Sequence, residues 1–250
     1  MSAGWWILVA LVVAGAGAWW LRSRKAVGSG ERPVAAANRW DRMAEAARRQ
    51  AADPFRFPPV EMSVLCQGLS AQGTEAVIAA YRGHLSVNLE SLGLTDAQDR
   101  DMLPDLRYRD DPDWVLRLDG LTAPQARDLV DRVRQAGGQA RVRTFYARDK
   151  GFQAGGEAAD LELEFAVWTR APAGQDLGPL SGLYRDFSQR NAGTLGLGPE
   201  DLSPTGEPER EGEAQVWQPL TWDQAWAIHQ EAVRTGIPSA IRGLLPFPGE

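Results

Sequence analysis

The 250 residues include one cysteine, Cys66, and two histidines, His84 and His229. A single thiol excludes an intrachain disulfide and fits a reducing compartment. So few Cys and His also exclude the usual zinc patterns, and no metal or other cofactor is expected. No Gly-x-Ser-x-Gly elbow, phosphate loop or His-Glu-x-x-His occurs. Gly193, Gly196 and Gly198 have the wrong spacing for a dinucleotide loop, and Gly68-Leu69-Ser70 lacks the second elbow glycine. No catalytic residue is assigned, and binding without catalysis is the expectation.

Positive charge is scarce in most of the chain. Residues 22–49 hold eight Lys or Arg and three Asp or Glu, leaving 19 basic and 30 acidic residues beyond them. The front is therefore +5 and the rest −11. An acidic region is a poor nucleic-acid binder, because phosphate contacts drive that affinity. No basic stripe with interleaved aromatics follows residue 55, so no nucleic-acid partner is expected.

Charge of either sign is missing from Gly4 to Leu21. Eighteen residues at helical rise span about 27 Å, close to the hydrocarbon core of a bilayer. Trp5 and Trp6 stand at one end, Trp19 and Trp20 at the other. Indole prefers the headgroup boundary, so the two pairs mark two interfaces. Arg22, Arg24 and Lys25 follow directly. The positive-inside rule then places the N-terminus outside and the large region in the cytoplasm, in a single-pass cell (inner) membrane protein. Ala16-Gly17-Ala18 offers residues suited to signal cleavage, but the basic n-region is missing and the basic cluster lies on the wrong side. Ala14 to Ala18 is a small-residue run through which two anchors could pack as a homo-oligomer. Composition rich in Ala, Arg and Gly suggests a bacterial source.

The expected organisation is a membrane anchor with basic flank at 1–25, a linker and basic amphipathic helix at 26–58, a helical subdomain at 59–110 and an α+β domain at 111–250. Asn38 caps a helix to about Ala52, with Trp40, Met43, Ala44 and Ala47 on one face. It suits either the membrane interface or a spacer packed on the domain. Thr74 to Leu92 has helical periodicity, interrupted at Gly83 and His84, and a short helix follows from Thr95 to near Pro104.

Trp114 to Asp119 alternates as a strand. Thr122 caps a helix from Ala123 to Ala136, with Pro124 in its first turn and Gly137 beyond its end. Gln139 to Tyr146 is a second strand. Arg148 to Ala159 is a polar turn and Leu161 to Trp168 a third strand. Leu177 to Arg190 is a helix, Asn191 to Gly212 a loop, and Glu213 to Leu220 a strand. Thr221 caps a helix to Thr235, and Ser239 to Leu245 is a last strand. The order from Trp114 to Leu220 suits a ferredoxin-like (βαββαβ) plait, giving an α+β fold with extra helices.

Leu121-Thr-x-x-Gln-Ala with Leu129, Gly137, Val142 and Arg143 matches Leu220-Thr-x-x-Gln-Ala with Ile228, Gly236, Ile241 and Arg242, 99 residues on. Shared constraints on cap, helix, stop and strand explain this more simply than two copies of one unit, since no shorter fixed period is present. Trp114 to Tyr146, with its Ala-Gly-Gly-Gln-Ala-Arg-Val segment, resembles the first half of the sporulation-related repeat domain. It is equally similar to the C-terminal domain of the ribosomal stalk protein. The first resemblance implies cell-wall glycan binding outside the cytoplasmic membrane, against the charge-based orientation.

Three places could carry other chemistry. Asp105, Asp110, Asp111 and Asp113 could hold a divalent cation, but no calcium-loop glycine or distal Glu accompanies them, and Arg107 and Arg109 would neutralise them. His229, among Trp222, Ala225, Trp226, Ala232 and Val233, is expected to be a hydrogen-bonded core histidine, as is His84. Cys66 is expected to be small buried filler. The partners expected are the lipid bilayer through residues 4–21 and a protein of unknown identity.

Overall fold

The computed structural model describes residues 34–93, 116–144, 162–195, 209–211 and 214–244. Helix α1 is Val34–Ala52. It starts before Asn38, which therefore lies inside the helix and is not its cap. Strand β1 (Met62–Gln67), helix α2 (Ala71–Asn88), strand β2 (Leu116–Leu121), helix α3 (Ala123–Gln135) and strand β3 (Gln139–Thr144) follow. The order then repeats as β4 (Phe165–Thr169), α4 (Gly178–Leu195), β5 (Glu209–Glu211), β6 (Ala214–Leu220), α5 (Trp222–Arg234) and β7 (Ser239–Gly243).

The α+β class is as expected; the arrangement of the strands is not. One sheet has the order β2-β1-β3 and the other β5-β6-β4-β7. In each, the first strand of the half is central and antiparallel to both main neighbours. The six elements expected to form one plait between Trp114 and Leu220 are thus divided between two sheets. β2-α3-β3 completes the first half, and β4-α4-β5-β6 opens the second. Because β1 pairs with β2 and β3, sheet pairing crosses the boundary expected near residue 110.

The sequence reading has no strand at β1, and burial explains why. Met62, Val64 and Cys66 are fully buried on the side facing the helices, while Ser63 and Leu65 are buried on the other. A central strand covered on both faces has no polar alternation to reveal it. α2 begins at Ala71, with Ser70 as its cap accepting from the Gly73 N–H, and runs unbroken through Gly83 and His84. α4 continues to Leu195 and β5 lies at Glu209–Glu211, both within the expected loop.

The caps at Thr122 and Thr221 hold as read. The amide oxygen of Gln125 accepts from the backbone N–H of Thr122, and Gln224 does the same for Thr221. Such reciprocal caps satisfy N–H groups that the first helical turn leaves unpaired. Gly137 and Gly236 follow their helices with φ of 80° and 74°, the left-handed region that favours glycine.

The two halves are structural repeats. From β2 to β3 and from β6 to β7 the residue shift is 99, matching Leu121 with Leu220 and Thr144 with Gly243. From β1 and β4 the shift is 103, matching Met62 with Phe165. The repeated contacts exceed what shared helix signals require. Tyr81 donates its hydroxyl to the Asp119 carbonyl, and Tyr184 donates to that of Gln218. Local constraint on cap, helix, stop and strand therefore does not account for the similarity, which marks a repeat.

Arg42–Leu245 form one compact unit, and both repeats lie within it. Their cores draw on Val64, Tyr81, Leu118, Leu129 and Val133 in the first repeat, and Val167, Leu180, Trp217, Ile228 and Ile241 in the second. Each fully buried aliphatic side chain contributes about 1.5–3 kcal/mol of transfer free energy. Among the described residues no helix is long and apolar enough to cross a membrane. Gly4–Leu21, Trp5, Trp6, Trp19, Trp20, Arg22, Arg24 and Lys25 lie outside those residues. So do the Thr95–Pro104 helix, the Asp105–Asp113 cluster and the Arg148–Ala159 turn.

Candidate interaction site

Two charged contacts join the repeats, and each is the counterpart of the other. Arg242 grips Glu61 with Nε at 3.1 Å and Nη2 at 2.6 Å, while the Gly243 N–H donates to the same carboxylate at 3.0 Å. Arg143 grips Glu164 with Nε at 3.1 Å and Nη2 at 2.6 Å, while the Thr144 N–H donates at 3.3 Å. Glu61 and Glu164 differ by the shift of the first strands, and Arg143 and Arg242 by that of the last. A contact between i of one repeat and j of the other, matched by j with i, indicates an approximate two-fold relation. Between the helices, the Arg127 guanidinium lies 5.8 Å from the ring centroid of Trp226.

The pairs are strongly shielded. The Arg143 side chain is 5% exposed and that of Glu164 19%. Glu162 adds contacts to Arg143 and Arg141. Forked guanidinium–carboxylate geometry is directional, so it fixes the register of the two repeats as well as neutralising charge.

A second seam holds the C-terminal part of α1. Arg42 Nε donates to the Gly93 carbonyl at 3.0 Å, and Gln50 Nε2 donates to the Ser91 carbonyl at 2.5 Å. Ala46 and Gln50 are buried, whereas Ala44 and Ala47 are exposed. The packed face is therefore Arg42, Met43, Ala46 and Gln50, not the apolar stripe read from sequence. This supports the spacer choice for this part of the helix. Gly93 has φ 71°, and a Cβ there would meet the Arg42 backbone at 2.5 Å. Arg242 Nη1 reaches the Gln50 carbonyl at 3.5 Å, linking the helix end to the second repeat.

Beside this seam lies a cavity of about 180 Å³ lined by Ala46, Arg49, Gln50, Phe57, Glu90 and Ser91. Arg49 and Arg56 approach the ring of Phe57, at 6.0 and 5.2 Å from its centroid. Sequence reading missed this grouping. None of these three residues is marked by a motif.

The histidines and cysteine occupy three separate settings. His229 is half-buried, its Nδ1 is 2.7 Å from Ser239 Oγ, and burial lowers its pKa. That matches a hydrogen-bonded core histidine. His84 is instead partly exposed, with Nε2 2.8 Å from Asp128 Oδ2. The Arg132 hydrogen bond, with a smaller one from His84, holds the Asp128 carboxyl below its ordinary value. Cys66 is fully buried, and desolvation pushes its thiol up to about 12. At neutral pH it is therefore protonated and a poor nucleophile.

Trp222 and Trp226 stack with centroids 5.7 Å apart, and Trp222 also meets Phe165 edge-on at 5.5 Å. Both indoles are packed against the core. Among the described residues, no group of three or more His, Cys, Asp or Glu could hold a metal ion. No protein-family model matches the chain, and no curated protein matches it.

Proposed function

We propose that this is a single-pass protein of the bacterial cell membrane whose cytoplasmic α+β region binds a protein partner without catalysis. The uncharged Gly4–Leu21 segment, bounded by paired Trp and followed by Arg22, Arg24 and Lys25, carries this assignment. Two repeats locked by the reciprocal Glu61–Arg242 and Glu164–Arg143 pairs support a binding role, because they give a fixed surface on a tethered scaffold. The β-α-β-β-α-β order and β5-β6-β4-β7 sheet of the second repeat are those of a ferredoxin-like plait. We extend that assignment to the first repeat from its matching strands. Anchors would self-associate through Ala14–Ala18.

The test is topology, read from a compartment-sensitive reporter fused after Glu250. A cytoplasmic signal is expected. A periplasmic signal would overturn the orientation and turn the search toward cell-wall glycan.

A further inference from the structure

We propose that Arg49, Phe57 and Arg56 form a binding site for the phosphate of an anionic phospholipid headgroup of the phosphatidylglycerol class. The inference rests on the membrane anchor proposed above and adds a second, noncovalent contact to the bilayer.

Three observations converge on it. Arg49 and Arg56 are exposed, and both guanidinium groups lie against the same ring, that of Phe57. Among the described residues neither has a carboxylate partner. Nearby acids are largely engaged elsewhere: Glu45 pairs with Arg48, and Asp53 accepts from the Phe55 and Arg56 N–H groups and lies 3.8 Å from Arg170. Glu90, on the cavity rim, is exposed and is the one acid lining it.

The adjoining space fits a small polar group. Its 180 Å³ is room for several waters. Arg49, Gln50 and Ser91 are among its polar lining residues, and Phe57 is among its apolar ones. Guanidinium groups bind phosphate oxygens bidentately, while the ring suits the glycerol and acyl boundary. The same chain carries its uncharged bilayer segment 25 residues before Ala46, so headgroups are the anions kept at high local concentration.

The full chain in a neutral detergent is titrated with monomeric dihexanoylphosphatidylglycerol, dihexanoylphosphatidylcholine and inorganic phosphate. Binding is read by calorimetry, and the site is located by amide exchange over residues 46–57. The glycerol lipid is expected to bind about fivefold or more tightly than the choline lipid, with slowed exchange over that segment. R49Q and R56Q should each weaken it about fivefold, the effect of one basic residue at an anionic surface. Equal affinity for both lipids, or unchanged affinity in both variants, overturns the proposal. Inorganic phosphate binding as tightly as the glycerol lipid overturns the headgroup assignment in favour of a free anion.

Alkaline carbonate extraction separates this failure from failure of the anchor. Release of the full chain from membranes removes the anchor assignment. Retention with equal lipid affinities removes only the headgroup site.

Discussion

Asn88, the last residue of α2, and Asn191, one turn before the end of α4, make the same three hydrogen bonds. Asn88 Nδ2 donates to the Gly120 carbonyl and to Gln125 Oε1, and its Oδ1 accepts from Gln125 Nε2, at 2.8, 2.7 and 2.9 Å. Asn191 does so with the Pro219 carbonyl and Gln224 at 3.1, 2.9 and 2.8 Å. Each asparagine thereby ties the C-terminal part of one helix to the capping glutamine of the next. Both are almost fully buried, so each lost bond leaves a group without water.

Replacing either asparagine by alanine should therefore destabilise the fold by about 1–3 kcal/mol. The two losses should be similar, because the networks are alike. Urea unfolding of N88A and N191A measures both. A large loss at one position and none at the other would show that only one network is structural.

Glu61→Gln should cost about 3 kcal/mol, since it leaves the shielded Arg242 guanidinium with a neutral partner. The Arg242 and Glu61 side chains are 14% and 11% exposed. Denaturant midpoints report the loss. Arg242→Gln added to Glu61→Gln should cost less than the sum of the single changes, because the second change removes the stranded charge.

Cys66 predicts an alkaline loss of stability. Its folded pKa of about 12 lies above the ordinary thiol value of 9.0. The folded state therefore keeps a proton that the unfolded state releases as pH rises above about 9. The associated stability is complete below that pH and is lost toward 12, at about 1.4 kcal/mol per pH unit. C66A should show a flatter decline than the parent when unfolding is followed from pH 8 to 10.5. Parallel curves would contradict the assignment.

Gly93→Ala should loosen the C-terminal part of α1. The left-handed backbone and the 2.5 Å approach to Arg42 leave no room for a methyl group. Amide exchange in residues 42–52 should accelerate, with a global loss of about 1–3 kcal/mol. Unchanged exchange would mean that the helix does not depend on this close approach.

Much of the second part of each repeat was legible because its signals are local. Thr122 and Thr221 precede amphipathic helices, and Gly137 and Gly236 end them. β1 was hidden because Met62 to Cys66 are buried on both faces and lack alternation. The full repeat was hidden by a change of shift from 103 to 99 residues between its parts. Its first parts share few core residues, Met62 matching Phe165 and Val77 matching Leu180. They retain Glu61 and Glu164, Tyr81 and Tyr184, and Asn88 and Asn191. Those recurrences at a shift of 103 were the available signal. The Arg49–Phe57–Arg56 grouping had none, because its geometry comes from the turn after α1.

The contact of Arg127 with Trp226 bears on how such a chain can change. Their positions are equivalent, 99 residues apart. In an assembly of two identical chains, a substitution at that position would appear on both sides of the axis at once. Two arginines would repel, and two indoles would compete for one space. Covalent continuity between the repeats frees each side to vary alone, so a cation can face an aromatic ring where exact symmetry would forbid the pair.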